Sequence, residues 1–170
     1  MYRKVYNSPI GKIFMESDGE YLTGVWFEKS KAEHKDKFEE AGLKIFDETE
    51  KWLSEYFSGK NPSFTPKYKV IGASEFRKRV LEILLTIPYG KTVTYNDIAS
   101  QIARGRGITK MSAQAVGGAV GWNPICIIIP CHRVVGKNGN LVGFGGGIEN
   151  KISLLKVEGH DISKFSLPKK

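Results

Sequence analysis

The sequence predicts an α+β protein in two parts, a strand-led α/β unit over residues 1–70 and a helix-turn-helix unit with a wing over 71–170. Three observations carry this reading. Short extended segments punctuated by turn residues open the chain, a proline- and glycine-rich stretch at 58–66 divides it, and two short helical patterns joined by a turn follow.

Residues 2–6, 12–16 and 22–27 read as antiparallel strands, with Asn7-Ser8-Pro9-Ile10-Gly11 and Ser17-Asp18-Gly19-Glu20 as the turns between them. From 43 to 57, Leu43, Ile45, Phe46, Trp52, Leu53, Tyr56 and Phe57 recur at mostly helical spacing, and Gly59 supplies a stop. Beyond the divide, 76–87 is an amphipathic helix with Ser74 as its N-cap, ended by Pro88-Tyr89-Gly90. Thr92-Val93 is short and extended, and a second helix runs over 95–103 behind the cap Thr94. A basic loop over 104–110 leads to a third helix at 112–120. That helix is rich in Ala113, Ala115, Gly117, Gly118, Ala119 and Gly121, and each glycine costs roughly 1 kcal/mol relative to alanine. Close approach of another surface would offset that loss. The run 125–129 is unbroken and apolar, so it reads as a buried strand stopping at Pro130. Lys137-Asn138-Gly139-Asn140 predicts a hairpin turn and hence a wing over 133–144. The glycine-rich loop 143–147 precedes a closing helix at 148–157, and no phosphate-loop pattern follows those glycines.

The net charge of +8 is unevenly placed. Residues 1–70 hold 12 basic and 12 acidic side chains, whereas 71–170 hold 14 and 6, so the excess lies wholly in the second part. A surplus confined to one segment points to an anionic partner such as nucleic acid, against the ordinary alternative of a solvated basic face, and Lys169-Lys170 reads as a tail. No apolar stretch approaches the roughly 20 residues of a membrane span, and no signal-peptide core follows Met1, so a soluble, cytoplasmic protein is expected. Two cysteines five residues apart fit neither a disulfide framework nor the CxxC spacing of a metal or redox site. His34 and His160 read as surface residues.

Chemistry concentrates in Pro130-Cys131-His132-Arg133-Val134. The thiolate is the nucleophilic form of cysteine, and a neighbouring imidazole that takes the proton raises its fraction near neutrality. Adjacency alone does not decide the matter, because unpaired cysteines are commonly small buried apolar residues. Cys126, inside the apolar run with no titratable neighbour in sequence, is read that way.

With these pieces in order the chain resembles the O6-alkylguanine-DNA alkyltransferases. The resemblance rests on Pro130-Cys131-His132-Arg133-Val134, Ala115-Val116-Gly117-Gly118-Ala119 with Asn123-Pro124, Pro88-Tyr89-Gly90-Lys91-Thr92-Val93-Thr94-Tyr95, and Leu154-Leu155-Lys156-Val157-Glu158-Gly159. It is dense over 76–159 and loose over the first 70 residues. It implies an N-terminal ribonuclease-H-like α/β domain (1–70) and a C-terminal winged helix-turn-helix domain (71–170) that carries the chemistry. The implied partner is double-stranded DNA containing O6-alkylguanine, with O4-alkylthymine a further candidate. The damaged base is flipped into a pocket and its alkyl group passes irreversibly to the cysteine, one turnover per molecule. No cofactor and no metal are implied, no membrane is involved, and the protein is expected to be a monomer. The N-terminal part has no cysteine, so the zinc site of some relatives is not expected.

By the same resemblance Cys131 is the acceptor, His132 withdraws its proton through a water, and Glu158 orients and stabilises the imidazole. Asn123 holds the turn before the acceptor, and Tyr95 donates its hydroxyl to guanine N3. The DNA and base contacts fall to Ser112, Gln114, Ala115, Gly117, Gly118, Thr94, Arg133, Val134 and Gly145. Three departures stand out. Gln114 occupies the position where many members have an arginine finger, so it brings a hydrogen bond without charge. Gly145 and Phe144 stand where others have serine and tyrosine. The basic loop over 104–110 is about five residues longer than in compact members and is expected to add phosphate contacts. Two competing readings remain open. One is a non-catalytic damage sensor of the alkyltransferase-like type, which Cys131 speaks against; the other is a cysteine hydrolase, for which no elbow motif precedes the thiol.

Overall fold

The computed structural model describes residues 1–28, 39–141 and 147–166; His34, residues 142–146 with Phe144 and Gly145, and the Lys169-Lys170 tail lie outside them. Three strands open the chain as predicted: β1 (Tyr2–Ser8), β2 (Gly11–Ser17) and β3 (Leu22–Phe27). Both neighbouring pairs are antiparallel, with Val5 opposite Phe14 and Met15 opposite Val25. A two-residue strand, β4 (Glu39–Glu40), joins the far side of β1 in parallel and gives the order β3-β2-β1-β4. Alternation sends Ile13, Met15, Val25 and Phe27 into the core. Arg3 and Glu16 are direct cross-strand partners, bonded at 3.1 Å, and the Arg3 guanidinium lies over Trp26.

Helix α1 (Lys44–Phe57) packs its buried stripe of Ile45, Phe46, Thr49, Trp52, Leu53 and Tyr56 inward. The segment after it is irregular, and there β3 gains its other neighbours. Leu22 exchanges hydrogen bonds with Lys67 and Lys69, while Val25 donates to Pro124 O (2.8 Å) and accepts from Cys126 N (3.0 Å). The edge of the N-terminal sheet thereby holds the segment leading to Cys131. One continuous apolar cluster runs from Ile13 through Tyr56 and Ile98 to Leu154.

Helices α2 (Glu75–Leu85), α3 (Tyr95–Arg106) and α4 (Ala113–Gly121) pack on one another. Ser74, Thr94 and Ser112 cap them, each hydroxyl accepting from the backbone three residues on, and Thr94 with Asp97 completes a reciprocal capping box. Arg104 and Arg106 are not in a loop as predicted. They form the last turn of α3, which Gly107 ends at φ 66°, and cationic side chains there complement the helix dipole.

A further expectation is corrected. The apolar run 125–129 is not a strand. Only Ile125 bridges, to Val25, after which the chain turns: Ile129 N donates to Ile125 O, Ile128 N to Cys126 O, and Ile127 sits at φ 71°. A left-handed β-branched residue costs of order 1–3 kcal/mol, and burial of Ile127, Ile128 and Ile129 with the Asn123 bonds described below offsets it. The Lys137-Asn138-Gly139-Asn140 turn does form, with Asn138 and Gly139 at positive φ and Asn140 N donating to Lys137 O. Just outside the turn Gly136 N donates to Asn140 O at 2.6 Å, and residues 142–144 of the expected wing lie outside the described residues. Strand β6 (Val134–Val135) runs parallel to β5 (Val93–Thr94), and Asn140 bridges Ser166. Helix α5 (Ile148–Val157) follows, and a 3-10 turn over Ile162–Lys164 leads to the bridged Ser166. His160 is half-buried, its ring edge-on to Phe165, rather than a free surface residue. No helix among the described residues is long and apolar enough to cross a membrane.

Candidate active site

Asn123 organises the turn before the thiol. Its Nδ2 donates to Ile129 O (2.8 Å) and Ile125 O (3.4 Å), and its Oδ1 accepts from Ile125 N (3.0 Å). Three bonds from one buried amide replace the ladder bonds that a strand would have supplied. Pro130 then makes a second tight turn, with Cys131 N donating to Ile129 O at 2.8 Å, and residues Cys131–Arg133 form a single 3-10 turn. Cys131 and His132 are both buried there.

His132 Nε2 is hydrogen-bonded to Glu158 Oε2, just past the end of α5. The same carboxylate oxygen accepts from Tyr56 Oη at 2.7 Å. The other, Oε1, accepts from Arg133 Nε (2.8 Å) and from Gly90 N–H (3.0 Å). Gly90, at φ 77° in the turn closed by Lys91 N donating to Pro88 O, presents that N–H. Arg133 in turn donates to Ile87 O and stacks over Tyr89. Burial opposes the charge on Glu158, but His132, the Gly90 N–H and the Arg133 guanidinium hold its carboxyl down at about 2. Burial is also the chief reason that His132 is held below its ordinary value, so the imidazole is neutral near pH 7. With Glu158 ionised, Nε2 carries the proton. Nδ1 keeps its lone pair and has no hydrogen-bond partner among the described residues.

Cys126 Sγ donates to Asn123 O at 3.8 Å; the Cys126 thiol, Asn123 and the Lys151 ammonium favour charge on Cys131 and burial opposes it, with the net effect of lowering the Cys131 thiol and raising that of Cys126. Cys126 is therefore not an isolated apolar filler, since its thiol bears on the charge of Cys131. Lys151 is fully buried, bonds Val134 O at 2.6 Å and lies over the Tyr95 ring. Burial pulls it down to about 8. Tyr95, buried and influenced by Cys131, is raised to about 12, so its hydroxyl keeps its proton.

The predicted catalytic residues Cys131, His132, Glu158, Asn123 and Tyr95 thus converge. The DNA-contact residues divide. Gln114, Ala115 and Gly118 line the exposed face of α4, and a side chain at Gly118 or Gly121 would meet nothing, so the small residues leave that surface open. Gly117 faces Tyr95. Ser112 and Thr94 spend their hydroxyls as caps, the Val134 carbonyl accepts from Lys151, and Arg133 is turned inward onto Glu158. Three participants escaped the sequence reading: Tyr56, Cys126 and Lys151. Lys151 left a signal, since it lies on the buried stripe of α5 with Leu154 and Leu155 at i+3 and i+4.

Fold and site together define a helix-turn-helix protein that holds a buried cysteine beside an imidazole hydrogen-bonded to a carboxylate. Residues 75–160 match the model of the 6-O-methylguanine DNA methyltransferase DNA-binding domain, and residues 1–67 match that family's ribonuclease-like domain. This chain belongs to the 6-O-methylguanine DNA methyltransferase family. It is 42% identical to a methylated-DNA-protein-cysteine methyltransferase of Methanosarcina acetivorans, over 94% of this chain and 99% of that protein. It is 38% identical to the enzyme of the same name from Mycobacterium leprae, over 92% and 91%. Among solved structures, the crystal structure of Mycobacterium tuberculosis OGT in complex with DNA superposes with a TM-score of 0.82 at 36% identity, covering 98% of this chain and 96% of that one.

Proposed function

We propose that this protein repairs DNA by direct damage reversal, moving the alkyl group of O6-alkylguanine to Cys131 in one irreversible turnover. The observation that carries the reading is the buried Cys131 next in sequence to His132, whose Nε2 is committed to Glu158 while its Nδ1 has no partner among the described residues. The Cys131 proton passes to His132 Nδ1, directly or through a water, and the imidazolium is stabilised by Glu158. The thiolate attacks the alkyl carbon, the C–O6 bond breaks, and its electron pair leaves with the guanine. The protonated Tyr95 hydroxyl offsets that charge by donating to guanine N3. The thioether is too poor a leaving group for water to reverse the step, so the protein is consumed, and no cofactor or metal enters the scheme.

The open face of α4 with Gln114, Ala115 and Gly118 supports an approach to the duplex, with Ser112 and Thr94 near it at the caps of α4 and α3. Arg104, Arg106 and Lys110 are exposed beside it for phosphate contact. Gly145 and the Val134 backbone are assigned to the base. Arg133 is assigned to Glu158, whose Oε1 it holds. The division at residue 70 into a supporting ribonuclease-H-like domain and a reacting winged domain, the monomeric state and a cytoplasmic location belong to the same reading. Cys131→Ala tests it. The variant is expected to bind an O6-methylguanine duplex with wild-type affinity and to accept no labelled methyl; methyl accepted by the variant would move the acceptor elsewhere.

A further inference from the structure

Resting on the alkyl-transfer reading, we infer that Tyr56, from the N-terminal α/β unit, is a positioning residue of the proton-accepting pair: its hydroxyl shares Glu158 Oε2 with His132 and so sets the charge state of the imidazole. Tyr56 sits on α1, 76 residues before His132, yet its Oη lies 2.7 Å from Glu158 Oε2 and 3.3 Å from His132 Nε2. The side chain is completely buried, stacked on Trp52 and edge-on to His132, Phe57 and Tyr89. These contacts fix the phenol with almost no freedom to turn away; its other acceptor is Leu154 O at 3.5 Å.

The arrangement gives Glu158 four donors, two to each oxygen: Arg133 and Gly90 on Oε1, His132 and Tyr56 on Oε2. A hydrogen bond donated to a carboxylate withdraws charge from it. With the phenol in place Oε2 is a weaker base, so the shared proton stays on Nε2 and Nδ1 remains the atom open to the thiol proton. A less basic Oε2 also attracts a second proton to the imidazole less strongly, and His132 stays neutral. The other charged and titratable groups facing this set are Arg133 from the 3-10 turn, Tyr89 from the turn before β5, and Lys151 from α5. Arg133 and Lys151 also disfavour the imidazolium, and Tyr56 adds to them through the shared oxygen. The N-terminal unit thereby completes the site through a single hydroxyl.

The test is Tyr56→Phe in the full chain, which keeps the ring and its stacking and removes only the hydroxyl. The His132 imidazole is titrated by 15N NMR without DNA, and the single-turnover methyl-transfer rate is followed against pH. The expected result is a rise in the His132 titration midpoint of about one unit, with the acid limb of the rate profile moving up by the same amount. A lowered melting temperature with both titrations unmoved would reduce Tyr56 to packing and overturn the inference. In a second variant, 3-fluorotyrosine at position 56 supplies a stronger donor, and the midpoint is expected to fall; a rise or no change would likewise overturn it. Absence of transfer by the wild type would sink the alkyl-transfer reading itself, which the DNA-free titration leaves separate.

Discussion

Replacing Glu158 by glutamine removes one charge and one acceptor position while keeping size and shape. The carboxylate now accepts from Arg133 Nε and Gly90 N–H on one oxygen and from His132 Nε2 and Tyr56 Oη on the other. A glutamine offers one carbonyl oxygen and one amide NH2, so one pair of donors must face another donor. Arg133 and the Gly90 N–H cannot become acceptors. His132 and Tyr56 can, so the amide nitrogen settles toward them, Nε2 becomes an acceptor, and the imidazole proton moves to Nδ1. That is the wrong tautomer for a base that must receive the thiol proton, and it is expected to slow transfer about 10²–10⁴-fold at pH 7. A carboxyl held at about 2 instead of 4.5 also contributes about 3 kcal/mol of stability at neutral pH, and most of that is lost. The assay is rapid-quench single-turnover transfer from an O6-methylguanine duplex, paired with urea denaturation. The rate deficit should narrow above the pH at which Cys131 ionises unaided. A rate within twofold of wild type between pH 6 and 8, with the stability loss present, would refute the tautomer argument and leave Glu158 a structural residue.

Asn123→Ala removes three hydrogen bonds from the turn that holds Ile127 at φ 71°, so urea denaturation should show a loss of about 2–4 kcal/mol together with slowed transfer. Cys126→Ala takes away the thiol beside Cys131, so the pH at which Cys131 becomes reactive toward a small iodoacetamide should rise; an unchanged profile would deny the contact a role. Glu158 and Lys151 should each leave a slope in stability against pH. Glu158, depressed when folded, contributes its stability above about 4.5, and about 3 kcal/mol is lost as pH falls toward 2. Lys151, held at about 8 against 10.5, binds fewer protons folded than unfolded between these values, so stability should rise from pH 8 toward 10 and Lys151→Met should flatten that rise.

Most elements were legible because their signals are local. Ser74, Thr94 and Ser112 cap helices where a hydroxyl precedes an amphipathic run, and Asn138-Gly139 turns where two positive φ values are needed. The run 125–129 misled because a fully buried apolar segment has no periodicity to separate a strand from a turn. What decides its shape is the Asn123 side chain and the edge of β3, 100 residues earlier. Arg104 and Arg106 read as a loop because they flank Gly105, yet Gly107 is the residue in left-handed conformation. At the site, Cys131, His132 and Glu158 were reached through their motif blocks. Tyr56 was hidden because an aromatic on an apolar stripe announces burial and says nothing of what its hydroxyl touches. Cys126 was hidden because a tight turn, and not a strand, folds its thiol onto the Asn123 carbonyl.

The most direct measurement incubates the protein with a duplex containing one O6-methylguanine, then weighs the peptides and analyses the recovered DNA. One added methyl is expected, on the Cys131 peptide, with an equal amount of unmodified guanine restored in the duplex. Binding without any methyl gained on Cys131, or a methyl found on another residue, would contradict it.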